Sequence, residues 1–292
     1  MSGTPIDSAL VAELRRDTGA GMMDCKKALA ESGGDKAKAI EYLRKKGIAA
    51  AEKRADRSAK EGMIALAVAA DGRTGALVEI NSETDFVAKN DLFRKFGQDV
   101  AAVVLAWNDA AGKDTDVLLD RPLPSGAKIR DELTNLTGKI GEKLAVGRFA
   151  RLHVPTGGIG TYIHSDTKLG VMVGLAGADL AQADVKILGR DLAMQVAAAS
   201  PTYVRRDEIP TAKIESERVV ETDRARNEGK PEAAVAKIAE GRINKWMSEV
   251  VLLEQPFVKD PKVIIKDLVA ATAKKAGSAL EVTSFVRIRV GA

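Results

Sequence analysis

The stretch Met63-Ile64-Ala65-Leu66-Ala67-Val68-Ala69-Ala70-Asp71-Gly72-Arg73-Thr74-Gly75-Ala76-Leu77-Val78-Glu79-Ile80-Asn81 decides the fold class. Its two apolar runs, 63–70 and 76–81, are of strand length, and Asp71-Gly72-Arg73-Thr74-Gly75 between them has the turn chemistry of a β-hairpin. A helical pattern follows over about 91–106, so the order is strand, strand, helix. That order recurs. Residues 160–165 and 169–175 flank Asp166-Thr167-Lys168, and 188–199 reads as a helix. Gly97-Gln98-Asp99-Val100-Ala101-Ala102 and Gly189-Arg190-Asp191-Leu192-Ala193-Met194 share one pattern 92 residues apart; Thr74-Gly75-Ala76-Leu77-Val78 and Leu169-Gly170-Val171-Met172-Val173 lie 95 apart. This repetition predicts two related α+β lobes with antiparallel sheets.

Upstream, residues 1–47 read as three short helices. Leu10, Val11 and Leu14 form one apolar stripe, and Gly19-Ala20-Gly21 breaks the helix. A second helix covers about 22–31, with Asp24 in its first turn suiting the helix dipole. Gly33 and Gly34 stop it; Asp35 is the expected N-cap of a third, with Ile40 and Leu43 facing inward. A basic connector, 48–62, leads into the core. Downstream of the first lobe, 107–127 is rich in Asp, Gly and Pro and reads as loop with one short helix. Residues 211–247 read as two charged helices around Asn227-Glu228-Gly229-Lys230-Pro231, an antiparallel hairpin. Val235, Ile238, Ala239, Ile243 and Trp246 mark the inner face of its second helix, and Ile214 and Val219 that of its first. In 282–290, Val286, Ile288 and Val290 alternate with Arg287 and Arg289, a half-buried strand expected to complete one of the sheets.

Composition narrows the function classes. At 292 residues the chain is long enough for two or three compact units. No run approaches about 18 uninterrupted apolar residues, and the first 30 residues carry acids without a hydrophobic signal core, so no membrane helix and no export signal are expected. The single cysteine, Cys25, fits a reducing, cytoplasmic setting. The net charge of +4 resides in residues 1–60, with 13 Lys/Arg against 9 Asp/Glu, chiefly Arg44, Lys45, Lys46, Lys53, Arg54, Arg57 and Lys60. These residues read either as a solvated helix face or as a nucleic-acid patch. Aromatics are only 4%, and none interleaves with Arg or Lys as base stacking requires. There is no Gly-x4-Gly-Lys-Ser/Thr loop, no Gly-x-Ser-x-Gly elbow, and Gly157-Gly158-Ile159-Gly160 has the wrong spacing for a dinucleotide site. One Cys with His153 and His164 makes no usual zinc site, so no metal and no cofactor are expected. The balance favours a protein that acts on another protein. A hydrolase built on the lobes would lack its nucleophile–base pair.

Two segments are unusual in what they expose. In Thr18-Gly19-Ala20-Gly21-Met22-Met23-Asp24-Cys25-Lys26, adjacent methionines at a helix start form a pliable apolar knob. One can fill the bundle core, but both cannot point inward. In Glu79-Ile80-Asn81-Ser82-Glu83-Thr84-Asp85-Phe86-Val87-Ala88-Lys89-Asn90, the chain leaves a strand and opens a helical turn. Ser82 can cap that turn with Asp85 in the capping-box position. On pattern alone, Asp85 and Phe86 can be merely a cap and a packed ring.

Together the two segments resemble the signatures of the elongation factor Ts family, guanine-nucleotide exchange factors for the tRNA-delivering GTPase elongation factor Tu. Thr18 to Lys26 and Thr84 to Asn90 carry the resemblance; the remainder agrees in layout, including Gln255-Pro256-Phe257 after the hairpin. The resemblance implies a UBA-like N-terminal three-helix module (1–47), the connector (48–62) and core lobes at 63–140 and 141–207. A protruding helical hairpin, or coiled coil (208–247), and a C-terminal segment completing the core (248–292) would follow. It implies that Thr84, Asp85, Phe86 and Val87 dislodge Mg2+ from the partner. Arg15, Met22 and Met23 would hold the partner's nucleotide-binding domain, and His164 a second domain. Lys53, Ile140 and Gly141 match further interface positions. The implied activity is exchange, without covalent chemistry and without direct nucleic-acid binding. The rival reading is an RNA- or ribosome-binding protein that uses the basic connector. Oligomeric state is left open by the pattern.

Overall fold

A computed structural model describes residues 6–110, 112–177 and 179–292. The first five residues of the 1–47 module, and Ala111 within 107–127, lie outside the described residues. The fold is α+β. The chain divides into two compact units: Met1–Ala65, Val78–Phe149 and Arg289–Ala292 form one, and Leu66–Leu77 and Ala150–Ile288 form the other.

The first unit begins with α1 (Ser8–Thr18), α2 (Met22–Glu31) and α3 (Lys36–Glu52). Asp7 caps α1, its carboxylate accepting from the Ala9 N–H at 2.9 Å, and Asp35 caps α3 through the Lys38 N–H at 3.1 Å. Each satisfies an orphan donor that water would otherwise have to serve. Gly19, at φ +67°, closes α1 in the left-handed region that glycine adopts without steric cost. Leu14, Cys25, Ala28 and Leu29 are fully buried between the helices. Ile40, expected inside, is exposed. Because α3 starts at Lys36, Ala39 falls on the inward stripe and Leu43 packs at its margin. Helix α3 also runs on through Ala49, Ala50 and Ala51, the strongest helix formers, so the expected connector begins as helix.

There follow along the chain β1 (Glu61–Val68), β2 (Thr74–Ser82), α4 (Asp91–Ala106), the short α5 (Thr115–Leu119), α6 (Ile129–Ile140) and β3 (Ala145–His153); residues 66–68 of β1, 74–77 of β2 and 150–153 of β3 are counted with the second unit. The sheet order is β1-β2-β3, and the central strand β2 is buried along its whole length. The sequence pattern passes over β3, where the large apolar residues Val146, Phe149 and Leu152 stand three apart and so show no two-residue alternation. Helices α3 and α6 cross where two glycines meet: a Cβ on Gly138 would stand 2.8 Å from the Gly47 Cα.

In the second unit β4 (Gly158–Ile163) pairs antiparallel with β5 (Leu169–Ala176), Gly158 opposite Leu175 and Ile163 opposite Gly170. Then come α7 (Ala183–Ala199), α8 (Thr211–Asn227), α9 (Glu232–Val250), the two-stranded β6 (Pro256–Phe257) and β7 (Asp260–Ile264), α10 (Ile265–Ala276) and β8 (Glu281–Arg289). Strand β8 is the other neighbour of β5, so the closing strand completes this sheet. Val171, Val173 and Leu175 pack against Leu188, Leu192 and Val196 of α7. Strand–strand–helix therefore occurs twice. In the second, a Cβ on Gly160 would lie 2.3 Å from the Gly189 carbonyl oxygen, so this glycine pair lets α7 ride close on β4; in the first, a Cβ on Gly97 would meet Ala65 and Ile80 at 3.4 Å, ordinary contact.

Helices α8 and α9 form the hairpin, turned by Gly229 at φ +72°. Val235, Ala239, Ile243 and Met247 line the inner face of α9. Val219, expected to face them, is 61% exposed. The inner face of α8 is more polar: Arg242 of α9 pairs with Glu221 at 3.4 Å and Glu228 at 2.6 Å. No helix among the described residues is long and apolar enough to cross a membrane.

Candidate functional site

Strand β2 delivers the chain to the turn that the sequence singles out. Ser82 is fully buried at its end, and its hydroxyl donates to the Thr84 carbonyl at 2.8 Å. It does not cap a helix. That role belongs to Asn90, whose side-chain oxygen accepts from the Leu92 N–H at 2.9 Å and the Phe93 N–H at 3.3 Å to start α4. The expected Ser82–Asp85 capping box is therefore absent; the first helical turn, the 3-10 segment Val87–Lys89, precedes α4 and has no side-chain cap.

The turn is held on both sides. On one side Val87 and Ala88 are buried, and Arg94 donates from Nε to the Ala88 carbonyl at 2.9 Å. On the other, the Glu142 carboxylate accepts from the Thr84 N–H at 2.9 Å and from the Thr84 hydroxyl at 2.7 Å. In return the Glu83 carboxylate accepts from the Lys143 N–H at 2.5 Å and pairs with Arg57 at 3.2 Å. The Lys143 backbone bond, then Arg57, holds the Glu83 carboxyl below the usual carboxylate range, because each favours the charged form. Between these anchors Asp85 and Phe86 stand outward. Phe86 is 76% exposed, and among the described residues nothing bonds the Asp85 carboxylate. Of the four residues in the Thr84–Val87 run, then, the structure exposes two, half-buries Thr84 and puts Val87 inside.

A second apolar feature lies on the helical module of the same unit. The Gly19 turn folds α1 back so that Arg15, near the α1 C-terminus, and Met22 and Met23, at the start of α2, line one open concavity of about 590 Å³ with Val11, Arg16 and Lys26. Both methionines are outside, at 57% and 74% exposure, so neither fills the bundle core. Lys53 follows the last turn of α3 and is exposed. Ile140 ends α6, and Gly141 closes it at φ +83°, its N–H donating to the Thr137 carbonyl at 3.0 Å. That places Gly141 one residue before Glu142, tying the 140–141 pair to the Asp85–Phe86 turn. Sequence reasoning missed Glu142, since a surface carboxylate after a helix carries no local signal.

His164 belongs to the second unit. It sits exposed at the end of β4, its Nδ1 2.8 Å from the Tyr162 hydroxyl, its N–H donating to the Leu169 carbonyl at 2.9 Å. The first unit thus gathers Arg15 with Met22 and Met23, and Thr84 to Phe86 with Gly141; His164 belongs to the second unit, on the β4–β5 turn.

Comparison with known proteins bears on the whole chain. A family model described as Elongation factor TS matches residues 83–292, which include the Asp85–Phe86 turn. Curated relatives named Elongation factor Ts align end to end. The protein of Clostridioides difficile (strain 630) is 46% identical over 98% of this chain and 93% of its own length. That of Prosthecochloris aestuarii is 45% identical, and that of Chlorobaculum parvum 44%, each over 97% of both chains. The N-terminal module outside the family match is covered by these alignments. The chain belongs to the elongation factor Ts family.

Proposed function

We propose that this chain is the guanine-nucleotide exchange factor for elongation factor Tu: it binds the GDP form, displaces Mg2+ and promotes GDP release so that GTP can rebind. Family membership supports the reaction, and one observation supports the mechanism: a three-quarters exposed phenylalanine on a turn anchored on both sides. A large exposed ring costs a free protein solubility and contributes little to its core, so a rigidly presented one is suited to burial in a partner.

A GTPase holds its nucleotide through phosphate contacts and a Mg2+ ion that demands near-octahedral geometry. A protein that binds the nucleotide-free form more tightly must weaken nucleotide binding by the same factor. Each 1.4 kcal/mol of preference is worth about tenfold, so exchange over several decades needs contacts at more than one place. Phe86 inserts its ring near the partner's metal site, and Asp85 reorganises polar contacts there. Arg15, Met22 and Met23 grip the nucleotide-binding domain, His164 meets a second domain, and Lys53, Ile140 and Gly141 flank the first contact. The chain does no covalent chemistry of its own in this scheme and works in the cytoplasm.

The RNA-binding alternative is weakened where the basic residues are paired within the chain, as three of the seven are: Lys46 with Asp24, Lys45 with Glu41, and Arg57 with Glu83. The test is release of fluorescent GDP from elongation factor Tu on adding this chain in catalytic amount. Acceleration is expected; no acceleration overturns the reading.

A further inference from the structure

We propose that Glu142 is a positioning residue for exchange: its carboxylate sets the direction in which Asp85 and Phe86 are presented. The inference rests on the exchange reading above and assigns a role to a residue outside the Asp85–Phe86 tip.

The freedom of the tip is fixed by the residues on either side. On the α4 side it is removed by burial of Val87 and Ala88 and by the bonds from the Lys89 N–H to the Phe86 carbonyl (3.1 Å) and from the Asn90 N–H to the Val87 carbonyl (2.9 Å). On the β2 side the ladder ends at Ser82, so Glu83 and Thr84 need another tether. Glu142 supplies it with both oxygens on one residue. Oε2 takes the Thr84 N–H, fixing the Glu83–Thr84 peptide plane, and Oε1 takes the Thr84 hydroxyl, fixing its rotamer. Charged acceptors make stronger bonds than neutral ones, and two from one carboxylate define an orientation as well as a distance. The crossed bond from the Lys143 N–H to Glu83 locks the two segments in register, and the Lys143 ammonium donates to the Ala55 and Arg57 carbonyls at 2.5 and 2.7 Å. Glu142 can reach Thr84 because Gly141 turns the chain at φ +83° directly after α6.

Removal of Glu142 leaves β2, α4 and α6 with their cores intact but frees the peptide that aims the tip. An ångström of misplacement in a positioned group can cost up to about a hundredfold. The contacts proposed for Arg15, Met22, Met23 and His164 do not involve Glu142.

The experiment follows GDP release at increasing concentrations of four forms of the full chain: Glu142→Ala, Glu142→Gln, Asp85→Ala/Phe86→Ala, and that pair combined with Glu142→Ala. Glu142→Ala is expected to lower the maximal release rate about tenfold with little change in half-saturating concentration. Glu142→Gln, which keeps one acceptor oxygen, is expected to recover most of that rate. In the Asp85→Ala/Phe86→Ala background, adding Glu142→Ala is expected to cost nothing more, since the clamp acts only through the tip. Hydrogen exchange of the Thr84 amide should speed up in Glu142→Ala while Leu77 and Val78 of β2 stay protected. Wild-type release by Glu142→Ala, a loss in half-saturation alone, or an additive loss in the combined variant overturns the proposal. If Asp85→Ala/Phe86→Ala itself releases GDP at the wild-type rate, the reading of the tip falls and the proposal with it; if only the Glu142 variants behave as wild type, the tip stands and the clamp alone is wrong. Should Glu142→Ala fail to fold, Thr84→Val, which deletes the hydroxyl bond alone, is expected to show a smaller loss of the same kind, and a wild-type rate there counts against the clamp.

Discussion

Replacing Phe86 with alanine separates a partner anchor from a core residue, because the two roles predict opposite pairs of readouts. Phe86 is 76% exposed, so folding hides about a quarter of it. Full burial of such a side chain is worth about 1.5–3 kcal/mol, which puts its contribution to the chain's own stability at about 0.4–0.8 kcal/mol. At roughly 2–4 °C per kcal/mol for units of this size, the melting temperature should fall by about 1–3 °C. If a partner hides the remaining three-quarters, truncation removes about 1–2 kcal/mol from the complex, a factor of about five to thirty. Stopped-flow release of fluorescent GDP from elongation factor Tu reads that factor, and differential scanning calorimetry on the same variant reads the first. Phe86→Leu should fall between alanine and wild type in release. A release rate within twofold of wild type, or a drop in melting temperature beyond about 8 °C, refutes the anchor, the second because only a packed ring would cost the fold about 2–4 kcal/mol.

Three further outcomes follow from the same structure. Met22→Ala/Met23→Ala removes two exposed side chains, so thermal stability should barely change while the half-saturating concentration for exchange rises about tenfold; an unchanged half-saturation removes the helical module from the interface. Gly138→Val would push a Cβ to 2.8 Å from the Gly47 Cα, and overpacking of that kind costs about 1–3 kcal/mol, to be read from urea midpoints; a wild-type midpoint would mean that α3 and α6 slide apart freely. Glu79 is buried: desolvation raises its carboxyl, but bonds from Asn81, the Gly291 N–H and Arg148 outweigh it and hold the group below its ordinary 4.5. A lowered folded-state pKa contributes stability above the ordinary value and loses it as pH falls through the folded one, so the stability gap between wild type and Glu79→Gln should be full near neutral pH and narrow as pH falls below about 4.5; a gap of the same size at every pH down to acid unfolding would refute the lowered, ionised carboxylate.

The fold class, several helix ends and the placement of the two signatures were legible because they rest on local chemistry. Asp35 caps α3, Gly19 ends α1 and Gly229 turns the helical hairpin for reasons contained within a few residues. The twofold strand–strand–helix order follows from apolar runs and turn residues that any short window displays. Misreadings fall where a face had to be chosen by something distant. Ile40 and Val219 are apolar at plausible helical spacing, yet each points outward because neighbours on other helices claimed the inner positions for Ala39 and for Glu221 with Arg242. Ser82 has cap chemistry but spends its hydroxyl inside the turn, and Asn90 caps instead. Strand β3 is held in its sheet by pairing with β2, which its own sequence, with apolar residues three apart, does not announce.

The Asp85–Phe86 pair divides along the same line. That an acid and an aromatic follow an apolar strand and precede a helix can be read from a short window of residues, since strand patterning and helix capping are local. Whether the ring packs or stands free is a property of surface left over once every other element has taken its place. That, with the Glu142 carboxylate 58 residues away from Thr84 that holds the turn, emerges once the chain is folded, because a hydrogen bond between distant segments leaves no periodicity in either.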